Sequence, residues 1–598
     1  MATDPQILAP PGATGDQSDP RRWLTLAILL LAAFMNLLDV SIVNIAIPSI
    51  QRDLHASYAD VQWALAGYTL AYALVLITGG RLGDIFGRKR LFLVGVTGFT
   101  IMSALCGAAQ SPGMLIGCRV LQGAMGAIMV PQVLAVIQVI FRPAERIKAL
   151  AGFGVTAGLG TVSGPLLGGL LIQHDLFGLG WRPIFLINVP VGIIAVAASA
   201  VLVRESRAPR PPRLDPLGVT LVSAALLLLL YPLVQGRELG WPAWTFASMA
   251  ASVPVLALFV LAERAKSRRD SSPLVELSLF RDRSFSIGMG VAVAFFLGIA
   301  SFGLVLTLFL QIGFGFTALH AGLTFLPFSA GVLISSGAAA RLAPRFGRGV
   351  IMAGALIIAA GMAGLIVIVH HYGQAVSTWD MVPGLLAAGA GLGAVIAPLA
   401  DIVLDGVPAQ HAGSASGVFN TGLQLGNSIG IALIGVIFFG LLGSQSASAA
   451  AAVSPQLRSG LAAVHVPAQL AGRIDGQFGD CLHARLTATD PTVTPAACRL
   501  QAAPPGAGHV TGQPSQVTLP AGARVVLAAV GGDAVRRDFA AAVERTLWFQ
   551  VAVFMASFLL MAALPAGVGR RRAGAGGQEA DPRNASEQLS ASQGVAAG

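Results

Sequence analysis

Two residues in this chain could do chemistry that their surroundings do not explain. Asp39 stands within an apolar run from about residue 23 to 47, and Arg119 stands within another from about 114 to 140. A carboxylate in such a run is expensive to bury, so it is expected to be paired, protonated or functional. If both runs cross a bilayer in opposite directions, Asp39 and Arg119 fall at a similar depth. Burial would raise the affinity of Asp39 for a proton and a neighbouring guanidinium would lower it. A carboxylate poised between the two can take a proton from one side and release it to the other. The competing reading is a static ion pair.

Glycine supplies the second pattern. Gly154, Gly158, Gly160, Gly164, Gly168 and Gly169 fall in one apolar run with Pro165 among them, so Gly160, Gly164 and Gly168 share a face. Small residues at that spacing let membrane helices approach closely. A third pattern is the basic, glycine-broken stretch from Gly79 to Arg90, which includes Gly80, Asp84, Gly87 and Arg88. Its glycines permit sharp turns, and Asp84 is suited to a helix N-terminus or to pairing with a basic residue. No hydrolytic or redox constellation, metal-ligand spacing or phosphate-binding loop is present, so no enzyme activity, metal, cofactor or ATP drive is expected.

These residues need a membrane scaffold. The 598-residue chain is 55% hydrophobic and 11% charged, with a mean hydropathy of +0.74. Soluble domains carry about 25% charge. Spans need roughly 20 apolar residues, and fourteen candidates follow one another from 23–47 to 547–566. With the N-terminus in the cytoplasm, twenty Lys and Arg fall in short inside loops, and the short outside loops carry only Arg52, Arg182 and Arg237. That bias is the expected topology signal. It accounts for the net charge of +10 and removes the case for a nucleic-acid partner. Both termini are expected in the cytoplasm. Residues 1–22 read as a solvated tail and not as a signal peptide, and 567–598 as a disordered one.

The basic stretch has an echo. Residues 81–88, RLGDIFGR, align with 341–348, RLAPRFGR, at an offset of 260. Both copies would face the cytoplasm. Residues 23–203 and 287–566 are therefore expected to be six-helix repeats, with 215–262 an inserted pair. Transporters of that design bind substrate between the halves and rock around it.

On these residues the chain resembles the major facilitator superfamily, and within it the fourteen-helix drug:proton antiporters. Gly80–Arg90 resembles the family's loop signature, Leu38–Pro48 the first-helix signature of the fourteen-helix exporters, Arg119–Gly123 the conserved-arginine motif, and Gly154–Gly169 the antiporter motif. Pro183 and Leu423 depart from the family pattern. The resemblance implies an all-α major facilitator fold in the cell membrane. It also implies that the Gly80–Arg90 stretch latches the cytoplasmic side, asymmetrically because Pro344 replaces Asp84 in the second copy. Gly160, Gly164, Pro165 and Gly168 are then implied to mark antiport.

Three features remain. Tyr68, Tyr72 and Phe302 are candidate linings of an apolar substrate cavity. Asp401 and Asp405 are candidate helix caps, or less often take part in transport. Residues 444–546 form a long outer loop holding Cys481 and Cys498, suited to one disulfide in an oxidising compartment, whereas Cys106 and Cys118 read as packing residues. The expectation is a monomeric, proton-coupled exporter of amphipathic small molecules. The alternatives are a dedicated exporter of an endogenous lipid, peptide or natural product, and a transporter-like sensor or scaffold.

Overall fold

The computed structural model describes residues 21–141, 143–207, 214–269, 273–404, 412–488, 495–498 and 520–564. Asp405 and both expected tails beyond residues 20 and 564 lie outside them. The described residues form helices, joined by short turns, and no strand. Twelve helices are long and apolar enough to cross a membrane, or thirteen if a bent pair is one span.

The N-terminal half holds α1 (Arg22–Leu54), α2 (Tyr58–Phe86), α3 (Arg88–Gly107), α4 (Pro112–Ile140), α5 (Pro143–Gln173), α6 (Pro183–Leu186) and α7 (Asn188–Leu202). Local chemistry sets several starts. Ser57 and Asp60 form a reciprocal capping box at α2, and Ser111 caps α4 ahead of Pro112. The α8 (Pro216–Gln235) and α9 (Ala243–Arg269) hairpin follows, with Asp215 capping α8. Then come α10 (Arg283–Leu308), α11 (Ala318–Thr324), α12 (Leu326–Phe346), α13 (Arg348–Tyr372), α14 (Thr378–Leu404), α15 (Ala412–Leu441), α16 (Ser446–Ala463), α17 (Ala468–Thr487) and α18 (Ala521–Ala562).

Packing partners recur between the halves. In the first half α1 packs on α5, α2 and α3 on α4, and α3 on α7. In the second, α10 packs on α15, α12 and α13 on α14, and α13 on α18. Two seams join them, α2 with α15 and α5 with α11 and α12. The α8–α9 pair leans mainly on itself, with Leu226, Leu230 and Val234 of α8 reaching the α2–α15 seam.

Lipid is as apolar as leucine, so small residues decide where membrane helices close up. A Cβ added to Gly160 would stand 2.8 Å from Leu37 Cβ, and one on Gly164 would stand 1.9 Å from Ser41 Oγ, both on α1. Sequence reading missed the counterpart. Gly422, Gly426 and Gly430 on α15 repeat Gly160, Gly164 and Gly168 at an offset of 262. A Cβ on Gly426 or Gly430 would stand 2.5 Å from Val293 O or 2.3 Å from Leu297 O of α10.

Several boundaries differ from the expected ones. The stretch from Gly79 to Arg90 is not a loop. Helix α2 bends by 47° between Leu76 and Thr78 and continues to Phe86, α3 starts at Arg88, and Gly87 alone separates them. The tenth expected span is split at Phe325 into α11 and α12, and the last span extends back to Ala521 as a 42-residue helix.

Candidate functional site

Helices α1 and α4 bring Asp39 and Arg119 together inside the first half. Asp39 is 0% and Arg119 1% exposed, and Arg119 Nη1 lies 2.5 Å from Asp39 Oδ2. An ion pair this deep survives only when its remaining lone pairs and protons are satisfied. Here they are. Gln122 Nε2 donates to Asp39 Oδ1 at 3.0 Å, and Asn188 Nδ2 donates to the same oxygen at 3.2 Å. Arg119 also donates to Gln122 Oε1 at 2.8 Å and to Ala64 O at 3.3 Å, and its guanidinium carbon sits 4.1 Å from the Tyr68 ring centre. Asn188 is itself held by a hydrogen bond to Ser103 Oγ at 3.0 Å.

The guanidinium therefore keeps three neutral partners of its own, namely a carbonyl, an amide oxygen and an aromatic face. Protonating Asp39 would remove the charge attraction without leaving Arg119 bare. A carboxyl with this shell can change protonation state while its neighbours stay in place. Gln122, Asn188 and Ser103 were not singled out from sequence. Their signal was present: Gln122 lies one helical turn beyond Arg119, and Asn188 interrupts an apolar run.

At the α2–α3 junction Gly87 adopts φ +110°, a region closed to most side chains. Asp84 is in the last turn of α2 and not at a helix N-terminus, because α2 continues beyond it. It spans the break to Arg88, with Arg88 Nη2 2.9 Å from Asp84 Oδ1. Glu205, also missed from sequence, accepts from Lys89 N at 3.1 Å and lies 3.7 Å from Arg90 Nε. Gly80 makes ordinary contact with Pro131 of α4. Pro165 and Gly169 belong to the α5–α11 seam. A Cβ on Gly322 would stand 2.3 Å from Pro165 O, and one on Gly169 2.7 Å from Ala318 O.

Residues 29–431 match the family model described as Major Facilitator Superfamily. The chain belongs to the major facilitator superfamily. It is 40% identical over 572 residues, 94% of this chain and 96% of the other, to the protein named "Probable actinorhodin transporter" of Streptomyces coelicolor. It is 36% identical to the "Tetracenomycin C resistance and export protein" of Streptomyces glaucescens, over 74% of this chain and 80% of the other. It is 34% identical to the "Multidrug resistance protein Stp" of Mycobacterium tuberculosis, over 69% of this chain and 75% of the other. Among solved structures, an inward-facing, unoccupied bacterial homologue of the human lysosomal transporter Spinster aligns with a TM-score of 0.52 at 18% identity, over 91% of this chain and 98% of that one. That likeness concerns the fold alone.

This major facilitator protein is thus a multi-pass membrane transporter of small molecules and not an enzyme. Tyr68, Tyr72 and Phe302 are all buried, the two tyrosines in the first half and Phe302 in the second. Tyr68 is buried against Arg119, with its hydroxyl accepting from Asn36 Nδ2 at 2.7 Å, and Tyr72 packs in the same first-half core. Phe302 is buried in the second half, 5.8 Å from Phe328 between ring centres. Each is large and apolar enough to fill a half's own core. Asp401 is exposed on the last turns of α14.

The described residues between α15 and α18 are largely helical and cap the end of the molecule opposite the Gly87 junction. Cys481 and Cys498 are disulfide-bonded. Asp538 of α18 accepts from Gly443 N at 2.7 Å and Gln445 N at 3.1 Å, fixing the entry to α16. Beneath this cap is a cavity of about 690 Å³ lined by Tyr58, Phe314, Phe478, Leu482, Arg536 and Phe539, among others.

Proposed function

We propose that this protein exports amphipathic small molecules, of the kind represented by antibiotics and drugs, across the cell membrane in exchange for protons. The observation that carries the reading is the Asp39–Arg119 pair, buried and held by Gln122 and Asn188. Asp39 is the proton carrier and Arg119 sets its affinity. The relatives named for tetracenomycin C resistance and export and for multidrug resistance support the direction of transport.

Fourteen spans are proposed, with both termini in the cytoplasm. They form two six-helix units, 23–203 and 287–566, an inserted pair at 215–262 and an outer cap within 444–546. The recurring helix partners and the two glycine ladders support this division. Gly80, Asp84, Gly87 and Arg88 gate the cytoplasmic side. Gly160, Gly164, Pro165 and Gly168 keep α5 tight against α1 and α11 and so limit leak. The working unit is a monomer.

A second reading is a dedicated exporter of one natural product. It is favoured by the extent of the match to the protein named for actinorhodin, which spans 94% of this chain against 69% for the multidrug relative. A susceptibility panel in an efflux-deficient host separates the two. Protection against many unrelated amphipathic compounds, lost in Asp39→Asn, supports broad export. Protection against a single structural class supports the dedicated exporter. No protection by the wild type against any compound, with the protein in the membrane, would refute export of toxic compounds.

A further inference from the structure

The inserted α8–α9 pair holds a second buried ionic cluster, at the end of the molecule where Gly87 joins α2 to α3. Asp215 is 4% exposed and Glu263 is 0% exposed. A Cβ on Gly218 would stand 2.3 Å from Glu263 Oε1 and 2.8 Å from Asp215 Oδ2, so the two carboxyl oxygens converge on one point. Glu263 Oε2 accepts from Val275 N at 3.0 Å, whereas Oε1 is buried without a hydrogen-bond donor. Asp215 Oδ1 accepts from Gly218 N at 3.0 Å and lies 3.1 Å from Lys266 Nζ. Each carboxyl thus uses one oxygen for a donor and turns the other toward the opposite carboxyl. Two acceptors in that arrangement repel unless a proton lies between them.

The surroundings connect the cluster to the gating stretch. Arg81, on α2 beyond its bend, interacts electrostatically with both Asp215 and Glu263. It also donates to Pro273 O, two residues from the amide that Glu263 holds. The charged groups on the elements meeting here are Asp215 before α8, Glu263 and Lys266 on α9, and Arg81 on α2. On the segment leading to α10, Glu276 accepts from Ser278 and Asp282 caps α10, and the contacts to the cluster come from the Pro273 and Val275 backbone.

We propose that Asp215 and Glu263 form a second proton-binding site, in which one shared proton clasps the inserted helix pair and the 273–275 segment to Arg81 of the gating stretch. With the proton in place, the carboxyls hydrogen-bond to each other, Glu263 keeps the Val275 amide, and Arg81 and Lys266 face a single negative charge. Without it, two carboxylates repel and the hold on the 273–275 segment weakens. The inserted pair then reports protonation to the joint between the halves, independently of Asp39. Two interacting carboxyls titrate as a pair, so the site belongs to neither residue alone.

The test uses full-length protein in nanodiscs at about pH 5.5 and about pH 8, conditions chosen to span the titration of a carboxyl pair that shares one proton. Infrared difference spectra read the carboxylic C=O stretch, and hydrogen exchange reads residues 273–281 after correction for the intrinsic pH dependence of exchange. In the Asp39→Asn background, which removes one of the two other carboxylates buried among the described residues, a protonated-carboxyl band is expected at low pH and its loss at high pH, with Asp538→Asn in the same background identifying any share of the second. Exchange at Val275 should rise at least about tenfold with the loss. Glu263→Gln should remove the band and keep Val275 protected at both pH values, because its amide donates permanently to Asp215. Glu263→Ala should leave Val275 unprotected at both. The proposal is overturned if the Asp39→Asn protein has no such band, if Glu263→Gln leaves the band in place, or if Val275 protection keeps the same pH step in Glu263→Gln. The Asp39→Asn spectra need no change at the cluster, so a Glu263 variant that fails to fold does not remove the test.

Discussion

The two halves share a helix plan and differ in what that plan encloses. The offset of 262 residues that carries Gly164 onto Gly426 also carries Asp39 onto Ser301. In the first half Asp39 of α1 accepts from Asn188 of α7. In the second, Ser301 of α10 accepts from Gln550 of α18 at 3.2 Å. The same offset carries Arg119 onto Met381, which is buried among Phe302, Leu365 and Leu547. Each half therefore places a polar pair at its centre, but only the first half charges it. Close packing through a glycine ladder is common to both and cannot by itself mark a direction of transport. The asymmetry lies in the ionic centre and in Pro165, whose counterpart at the shared offset is Asn427.

The largest expected effect comes from removing that asymmetry. Arg119→Ala leaves Asp39 buried and unpaired, at a cost of about 3–5 kcal/mol. A marked fall in thermal stability in detergent is expected, with partial rescue by Arg119→Ala/Asp39→Asn. Equal destabilisation of the single and double variants would remove the first half's special status. Gln550→Leu in the second half loses only a neutral hydrogen bond and should cost about 1 kcal/mol.

The two junctions come next. Gly87 and its counterpart Gly347 both have positive φ, +110° and +52°. Alanine at either should cost roughly 1–3 kcal/mol in backbone strain. Gly87→Ala should be the worse, because a Cβ there adds a 2.5 Å approach to Glu205 Oε1 to the backbone strain. Unfolding in the two variants, measured side by side, checks the order. The smallest effect on stability is expected for Arg88→Ala. It breaks a partly exposed bridge to Asp84 worth under about 1 kcal/mol. Its consequence should appear in cysteine accessibility on the Gly87 side of the protein, with stability nearly unchanged.

Much of this was legible in the chain. Hydropathy located the helices because a spanning helix must satisfy its own backbone in lipid, and the echo at residues 81 and 341 pointed to two related halves. Asp39 and Arg119 stood out because a charge in an apolar run is rare. Their neutral partners did not, since Gln122, Asn188 and Ser103 are unremarkable residue types until the fold brings three helices onto one carboxylate. Glu205 and Glu263 escaped notice for a related reason. Each has an arginine beside it in a stretch that reads as topology signal, and only packing buries Glu263 and sets Glu205 against the α2–α3 junction. The aromatics were ambiguous in the sequence because a large apolar ring suits a cavity wall and a helix core equally well. The one-residue junction at Gly87 was hidden by glycines that suggested a loop, whereas Gly79 and Gly83 serve close contact with α4.

The claim that matters most is that Asp39 carries the proton. Proteoliposomes with an entrapped pH dye, loaded with a compound identified by the susceptibility panel, test it directly. Outward movement of that compound by the wild-type protein should draw protons in the opposite direction. Asp39→Asn protein, inserted to the same level, should give no proton movement and no accumulation against a gradient. Proton-coupled transport by Asp39→Asn at the wild-type rate would contradict the account.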